Sequence, residues 1–295
     1  MDRGHAVLLR SGEGETITER PERTIRILGE REELALTWFR YEPGEEGPDP
    51  HVHRKHTDAF YVLDGELELG LGPDVRRLIA TVGTLAAAPP NLVHTFRNES
   101  DASVVFLNIH APSMGFAEML RASRDGRDGA TEHFDQFEPP ADGGRPFSDV
   151  VFRGAGEGDS IAVGGSRTIF KADRSDGDGS FSMSEATLEP RFPGPVPHSH
   201  HELVDTFYVL AGTLALRLGD EHVVAAPGDF ALVPPGAVHA FSNPAEESVR
   251  VLNVMAPGGF EQYLKDLARA SLAGPSEPRM LAQIASRFDF EPARS

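Results

Sequence analysis

Two stretches of this chain each collect residues able to hold a transition metal. Residues 51–65 read HVHRKHTDAFYVLDG and residues 198–212 read HSHHELVDTFYVLAG. Both have His-x-His, four residues, Asp, six residues and Gly: His51, His53, Asp58 and Gly65 in the first, His198, His200, Asp205 and Gly212 in the second. A second block follows each one, GTLAAAPPNLVHTFRN from Gly83 and GDFALVPPGAVHAFSN from Gly228. These share Gly, five residues, Pro, four residues, His, three residues and Asn, and they add His94 and His239. In an extended strand residues i and i+2 share a face, so the two imidazoles of each His-x-His point the same way. Three neutral imidazoles and a carboxylate suit a divalent ion such as iron, manganese, nickel, copper or zinc. One such ion per copy is expected.

The elements around these residues read as strands. Each Asp opens an aromatic and β-branched run. Beyond each motif glycine the apolar residues alternate, as Leu67, Leu69, Leu71 and as Leu214, Leu216, Leu218. The third imidazole of each set arrives from a later strand, after a Pro-containing turn. The repeat extends further: GEGETI (12–17) matches GEGDSI (156–161), LNIHAP (107–112) matches LNVMAP (252–257), and FDQFEPP (134–140) resembles FDFEP (288–292). Two copies explain this better than one large barrel. PPADGGRP (139–146) is rich in residues that interrupt regular structure, which places the expected boundary between domains 1–145 and 146–295. The Gly/Asp-rich run 172–180 reads as a hairpin loop.

These blocks resemble the paired motifs of the cupin superfamily, and their duplication resembles the bicupins, among them the quercetin 2,3-dioxygenases. The resemblance implies an all-β chain of two tandem jelly-roll barrels. It also implies metal ligation by His51, His53, Asp58 and His94 and by His198, His200, Asp205 and His239. The sequence departs from the family pattern in two ways. Asn91 stands where the second copy keeps Gly236, a mild change because Asn tolerates positive φ. Asp replaces the usual Glu in both copies and is one methylene shorter. At least one of the two is therefore expected to be a weak or water-mediated ligand, free to act as a base.

Helices are expected only after residues 112 and 257. Phe260, Tyr263, Leu264, Leu267, Ala268 and Leu272 form one apolar face, Met280, Leu281, Ile284, Ala285 and Phe288 a second, and Phe116, Met119 and Leu120 a weaker one. Their ordinary role is to cover an outer sheet face; a homodimer contact is the alternative. Strand parity from Asp58 and Asp205 places Phe60, Val62, Phe207 and Val209 inward, and His94 and His239 bring Phe96 and Phe241 with them. His56 and His201 sit at different offsets and read as surface loop residues. His110, opposite Met255, could serve as an acid/base near the first site. Trp38, opposite Glu185, reads as core or cavity lining.

The bulk properties exclude several classes. Lys and Arg total 28 against 46 Asp and Glu, a formal charge of −18, and no basic cluster is present to bind nucleic acid. No apolar run reaches the roughly 18 residues of a membrane span, and the start lacks the order of a signal peptide, so a cytoplasmic location is expected. With no cysteine there is neither a disulfide nor a thiolate ligand. No Ser–His–Asp elbow, phosphate loop or dinucleotide fingerprint appears. The resemblance to the quercetin 2,3-dioxygenases implies a metal-dependent oxidoreductase, a dioxygenase acting on a small aromatic or enolisable substrate, with Asp58 or Asp205 as the base. The alternatives are non-redox isomerisation, polyketide-type cyclisation, and small-molecule binding without catalysis.

Overall fold

The computed structural model describes residues 4–127, 131–272 and 278–293. The chain forms two compact units. One comprises Gly14–Glu157 with Ser175–Ser180; the other comprises the chain up to Glu13, Gly158–Arg174 and Phe181–Ser295.

In the first unit a seven-stranded antiparallel sheet runs in the order Val151–Arg153, Leu85–Ala88, Thr57–Asp64, Val104–Ala111, Ala35–Tyr41, Arg23–Glu30, Glu15–Glu19. A three-stranded sheet of His94–Arg97, Glu66–Leu71 and Arg76–Thr81 completes a jelly-roll barrel, and Val52–His53 pairs with Gln136–Phe137. Ile25, Phe39, Phe60, Val62 and Phe106 from the large sheet pack with Leu67, Leu69 and Phe96 from the small one. Inward positions alternate along each strand, as the period of two requires. The central strand Thr57–Asp64 is buried over its first six residues on both faces, which is why it reads as a near-continuous apolar run.

The second unit repeats the plan. Its large sheet runs Val7–Leu9, Phe230–Val233, Val204–Ala211, Val249–Ala256, Ser182–Leu188, Ser166–Ala172, Asp159–Val163. The facing sheet runs Glu221–Ala225, Leu214–Leu218, His239–Ser242, His198–Ser199, Glu291–Pro292. Strands Val151–Arg153 and Val7–Leu9 hold equivalent edge positions, one in each unit. The units therefore divide the chain elsewhere than at 145/146. The stretch after PPADGGRP continues as a strand along Leu85–Ala87, and strand pairing outweighs the local composition. The run 172–180 joins two antiparallel strands, as expected of a hairpin loop.

Motif glycines sit where a side chain would collide. Gly65 and Gly212 have φ near 73°, and a Cβ on either would approach the carbonyl oxygen of Ser103 or Ser248 within 2.3 or 2.7 Å. Asn91 adopts φ 65° where Gly236 has 82°, so the Asn in the first copy keeps the left-handed turn.

Helices α1 (Phe116–Arg124), α2 (Glu261–Leu272) and α3 (Pro278–Ala285) fall after residues 112 and 257. Two of them, α1 and α2, do more than cover a sheet face. Phe116, Met119 and Leu120 of α1 line a cavity inside the first barrel, and Tyr263, Leu264 and Leu267 of α2 line one inside the second. A barrel of two sheets leaves apolar interior exposed at its mouth, and an amphipathic helix seals it. Among the described residues no helix is long and apolar enough to cross a membrane.

Candidate metal centres

The structure gathers the predicted residues into two buried clusters. The ligand-type atoms of His51, His53, Asp58 and His94 all lie within 4.8 Å of one another, as do those of His198, His200 and His239. His51 bridges to His94, and His198 pairs with His239, which draws the His-x-His segment against the later strand. The Pro-containing turn contributes directly: the backbone N–H of Asn91 donates to His53 O at 2.6 Å and that of Gly236 to His200 O at 2.7 Å.

Every one of the six imidazoles donates Nδ1–H to a backbone carbonyl. The acceptors are Asp49 at 2.8 Å, Asp135 at 2.9 Å and Leu92 at 2.9 Å for His51, His53 and His94. They are Val196 at 3.0 Å, Asp289, and Ala237 at 3.2 Å for His198, His200 and His239. This fixes the tautomer, with the Nε2 lone pair turned into the cluster. The Nε2 atoms of His53, His94 and His200 are buried without any hydrogen-bond partner. A buried polar atom so placed costs free energy on the order of 1–3 kcal/mol unless something binds it. A cation with borderline softness fits this donor set.

Burial, with added repulsion from neighbouring imidazoles, pushes His51 and His198 down to about 3. It also holds His53 and His110 well below the ordinary range. His200 is lowered for the same reason, with Asp205 partly opposing. Neutral rings at pH 7 are the form a metal requires.

The two aspartates sit differently. Asp58 Oδ2 lies 3.2 Å from His94 Nε2 and 3.9 Å from His53 Nε2. Asp205 Oδ2 lies 3.3 Å from His239 Nε2 but falls outside the close group of three imidazoles. Burial resists the charge on Asp205, while contact with the His239 ring, the nearby His200 and the amide of Asn253 outweigh it and hold its pKa below the usual carboxylate range. Each carboxylate receives a side-chain amide that the sequence reading had passed over. Asn108 Nδ2 donates to Asp58 Oδ1, and Asn253 Nδ2 donates to Asp205 Oδ1 at 2.5 Å. Both lie in the repeated LN-x-x-AP segments, so the repeat carried the signal.

Two expectations about single residues need correction. His56 is 1% exposed, not a surface residue. Its Nδ1 bonds Asp135 Oδ2 and its Nε2 bonds His110 Nδ1, both at 2.8 Å, and His110 Nε2 reaches Asn108 Oδ1 at 3.0 Å. A buried chain of polar groups thus runs from Asp135 to Asp58. The repeat carries no sign of this burial, because Leu203 stands in the matching place of the second copy. Trp38 is neither core nor cavity lining. It lies on the opposite face of its strand from Thr37, Phe39 and Tyr41, half-buried, with the Arg26 guanidinium 5.6 Å from the ring centre. Asp135 and Asp289, within the repeated Phe-Asp segments, were given no role by spacing alone. His201 is exposed, as expected.

Each cluster opens into a cavity, about 310 Å³ in the first barrel and about 320 Å³ in the second. The first is lined by Arg23, Ile25, Phe39, Tyr41, Phe96 and Phe116 beyond the cluster. The second is lined by Ser166, Thr168, Ser184, Ala186, Phe207 and Phe290. Phe60, Val62 and Val209 fill barrel core, while Phe207, Phe96 and Phe241 face the cavities.

Comparison with known proteins agrees with this architecture. The cupin domain matches residues 37–110 and again residues 184–255, so the chain is a bicupin. It is 26% identical to the quercetin 2,3-dioxygenase of Bacillus subtilis strain 168 over 322 aligned positions, 96% of this chain and 90% of that protein. A stretch of 69 residues, 23% of this chain and 28% of the relative, is 36% identical to H2HPP isomerase of Bacillus subtilis. The solved structure of oxalate decarboxylase from Bacillus subtilis superposes with a TM-score of 0.58 at 16% identity, over 96% of this chain and 85% of that one. At that identity the likeness is one of fold.

Proposed function

We propose that this bicupin is a metal-dependent enzyme that oxygenates a small aromatic or enolisable substrate. One divalent transition metal is held in each barrel. His51, His53 and His94 hold it in the first with Asp58 as a weak fourth ligand, and His198, His200 and His239 hold it in the second with Asp205 beside them. The observation that carries this reading is the set of six buried imidazoles, each with its Nδ1 satisfied and its Nε2 turned to a common point at the floor of a cavity. The near full-length similarity to a quercetin 2,3-dioxygenase supports the choice of reaction.

When bound, the ion supplies Lewis acidity toward an enol or phenol oxygen and a route for oxygen chemistry. The residues of the chain do the rest. Asp58 accepts the proton of the substrate hydroxyl through Oδ2, while Asn108 holds Oδ1. His110, 3.5 Å from Asp58 Oδ1, and His56 behind it stabilise the carboxylate's orientation. In the second barrel Asp205 and Asn253 stand in the same relation. Phe116, Met119 and Leu120 over the first cavity, and Phe260, Tyr263 and Leu264 over the second, exclude water and orient a planar apolar substrate.

A second reading, non-redox isomerisation, is favoured by the 36% identical stretch shared with H2HPP isomerase. The two separate in one experiment. Protein purified without added metal is subjected to elemental analysis and then assayed for oxygen consumption with flavonols and simpler enolisable phenols. Redox-active metal with oxygen uptake supports the first reading; substrate conversion without oxygen uptake selects the second. In the variant carrying His53→Ala and His200→Ala the metal content should fall to near zero while the β-sheet circular dichroism persists. Retention of metal by that variant would discard the ligand assignment.

A further inference from the structure

The six imidazoles are not oriented by the same means. His51, His94, His198 and His239 each bond the carbonyl two residues earlier in the chain, at Asp49, Leu92, Val196 and Ala237. Those contacts form with the local turn. The middle histidine of each site, His53 or His200, instead bonds a carbonyl 82 or 89 residues away, at Asp135 or Asp289. Both carbonyls belong to the Phe-Asp segment that closes each copy of the repeat.

Each segment is pinned by its own carboxylate. Asp135 Oδ2 accepts from the backbone N–H groups of Arg54 at 3.1 Å and Lys55 at 2.8 Å, and bonds His56 Nδ1. Asp289 accepts from the N–H groups of His201 at 2.5 Å, Glu202 at 2.9 Å and Leu203 at 3.0 Å. In both copies the carboxylate thus grips the loop just after His-x-His while the carbonyl orients its second ring. Otherwise the segments are held by short strand pairs, Gln136–Phe137 with Val52–His53 and Glu291–Pro292 with His198–Ser199. In the second copy Phe290 also stacks on the His198 ring at 4.3 Å.

We propose that Asp135 and Asp289 are positioning residues that couple each metal site to the segment closing its barrel. The inference rests on the metal reading above. Docking of the segment fixes the tautomer and plane of His53 or His200 and so completes the donor set. A bound ion, by holding that ring, holds the segment in return, as linkage requires. Loss of a partner that orients a ligating imidazole typically weakens metal binding by about 10- to 100-fold.

The two copies differ in a way that makes the test specific. Asp135 Oδ1 has no partner, so all three contacts converge on one oxygen. Asp135→Asn can keep them with its amide oxygen, whereas Asp289 uses both oxygens and Asp289→Asn must lose one. The probe is Co²⁺, titrated into metal-free full-length protein and followed by visible absorption, which reports imidazole coordination. A His198→Ala background isolates the first site and a His51→Ala background the second. Asp135→Ala and Asp289→Ala are expected to weaken Co²⁺ binding by about 10- to 100-fold at their own site. Asp135→Asn should stay near wild type and Asp289→Asn should fall between. In parallel, Co²⁺ should slow tryptic cleavage of the wild-type chain at Arg279 and Arg287, a reading that needs no variant to fold. Folded alanine variants with wild-type Co²⁺ affinity would overturn the proposal, and so would cleavage indifferent to Co²⁺. A wild-type protein that binds no Co²⁺ at all would instead remove the metal reading on which it rests.

Discussion

The two barrels share one histidine scaffold and diverge in what surrounds it. In the first, Thr37, Phe39 and Tyr41 point inward along one strand; in the second the same positions hold Ser184, Ala186 and Leu188. Phe39, Tyr41, Phe96 and Phe106 pack in the first interior with ring centres 5.0–6.3 Å apart. The second replaces Phe106 by Val251 and gains a wall of hydroxyls from Ser166, Thr168 and Ser184. Polar groups next to the cluster follow the reverse trend. His56 and His110 stand beside Asp58, whereas Leu203 and Met255 occupy the matching places beside Asp205. The first barrel has spent its interior on aromatic packing and concentrated its titratable groups at the base. The second keeps a cavity of similar volume walled by hydroxyls and small side chains and, among the described residues, no imidazole in the places of His56 and His110. The three histidines and the aspartate recur in both copies, while the rest of each interior differs.

This difference can be broken on purpose. The largest effect is expected at the carboxylates. Asp58→Asn should cut turnover by roughly 10²-fold or more while lowering metal content only modestly, and comparison with Asp205→Asn in steady-state assays ranks the two sites. Equal losses in both variants, each with its metal gone, would make the aspartates ordinary ligands. Next comes packing. Phe39→Ala copies Ala186 into the first barrel and should cost about 3–5 kcal/mol in urea unfolding, because the stacked ring on Phe106 leaves a cavity. The reverse change, Ala186→Phe, projects into existing space and should abolish ligand binding in the second barrel with little shift in the unfolding midpoint. The smallest effect concerns the buried imidazole pair. His110→Met leaves His56 Nε2 without its partner in a site closed to water, and should cost about 1–3 kcal/mol. Adding His56→Leu, which completes the likeness to the second barrel, should recover most of that loss. A double variant no more stable than His110→Met alone would show that the pair is not an independent unit.

The sequence made the candidate ligand set legible for a plain physical reason. A strand puts i and i+2 on one face, and the repeat placed the same residue types at the same spacing twice, so His51, His53, His94, His198, His200 and His239 could be named before any fold was seen. The strand pattern and the position of the helices followed from periodicity in the same way. His56 could not be placed, because its burial depends on Asp135, 79 residues along the chain. No local pattern records that distance. The face of Trp38 was likewise a question of strand register against its neighbours, which composition does not report.

Spacing also left open what each helix covers and which carboxylate stands in the cluster. Both depend on where separate strands converge. Asp58 and Asp205 occupy identical places in identical motifs, yet only Asp58 joins the close group of ligand-type atoms. The sequence by itself determined the chemistry available and its twofold repetition, because residue type and strand period are local properties. Tertiary structure alone decided which of those groups meet, how Asp135 and Asp289 return to orient His53 and His200, and why two equal motifs became unequal sites. Those are contacts between segments that the chain order keeps far apart.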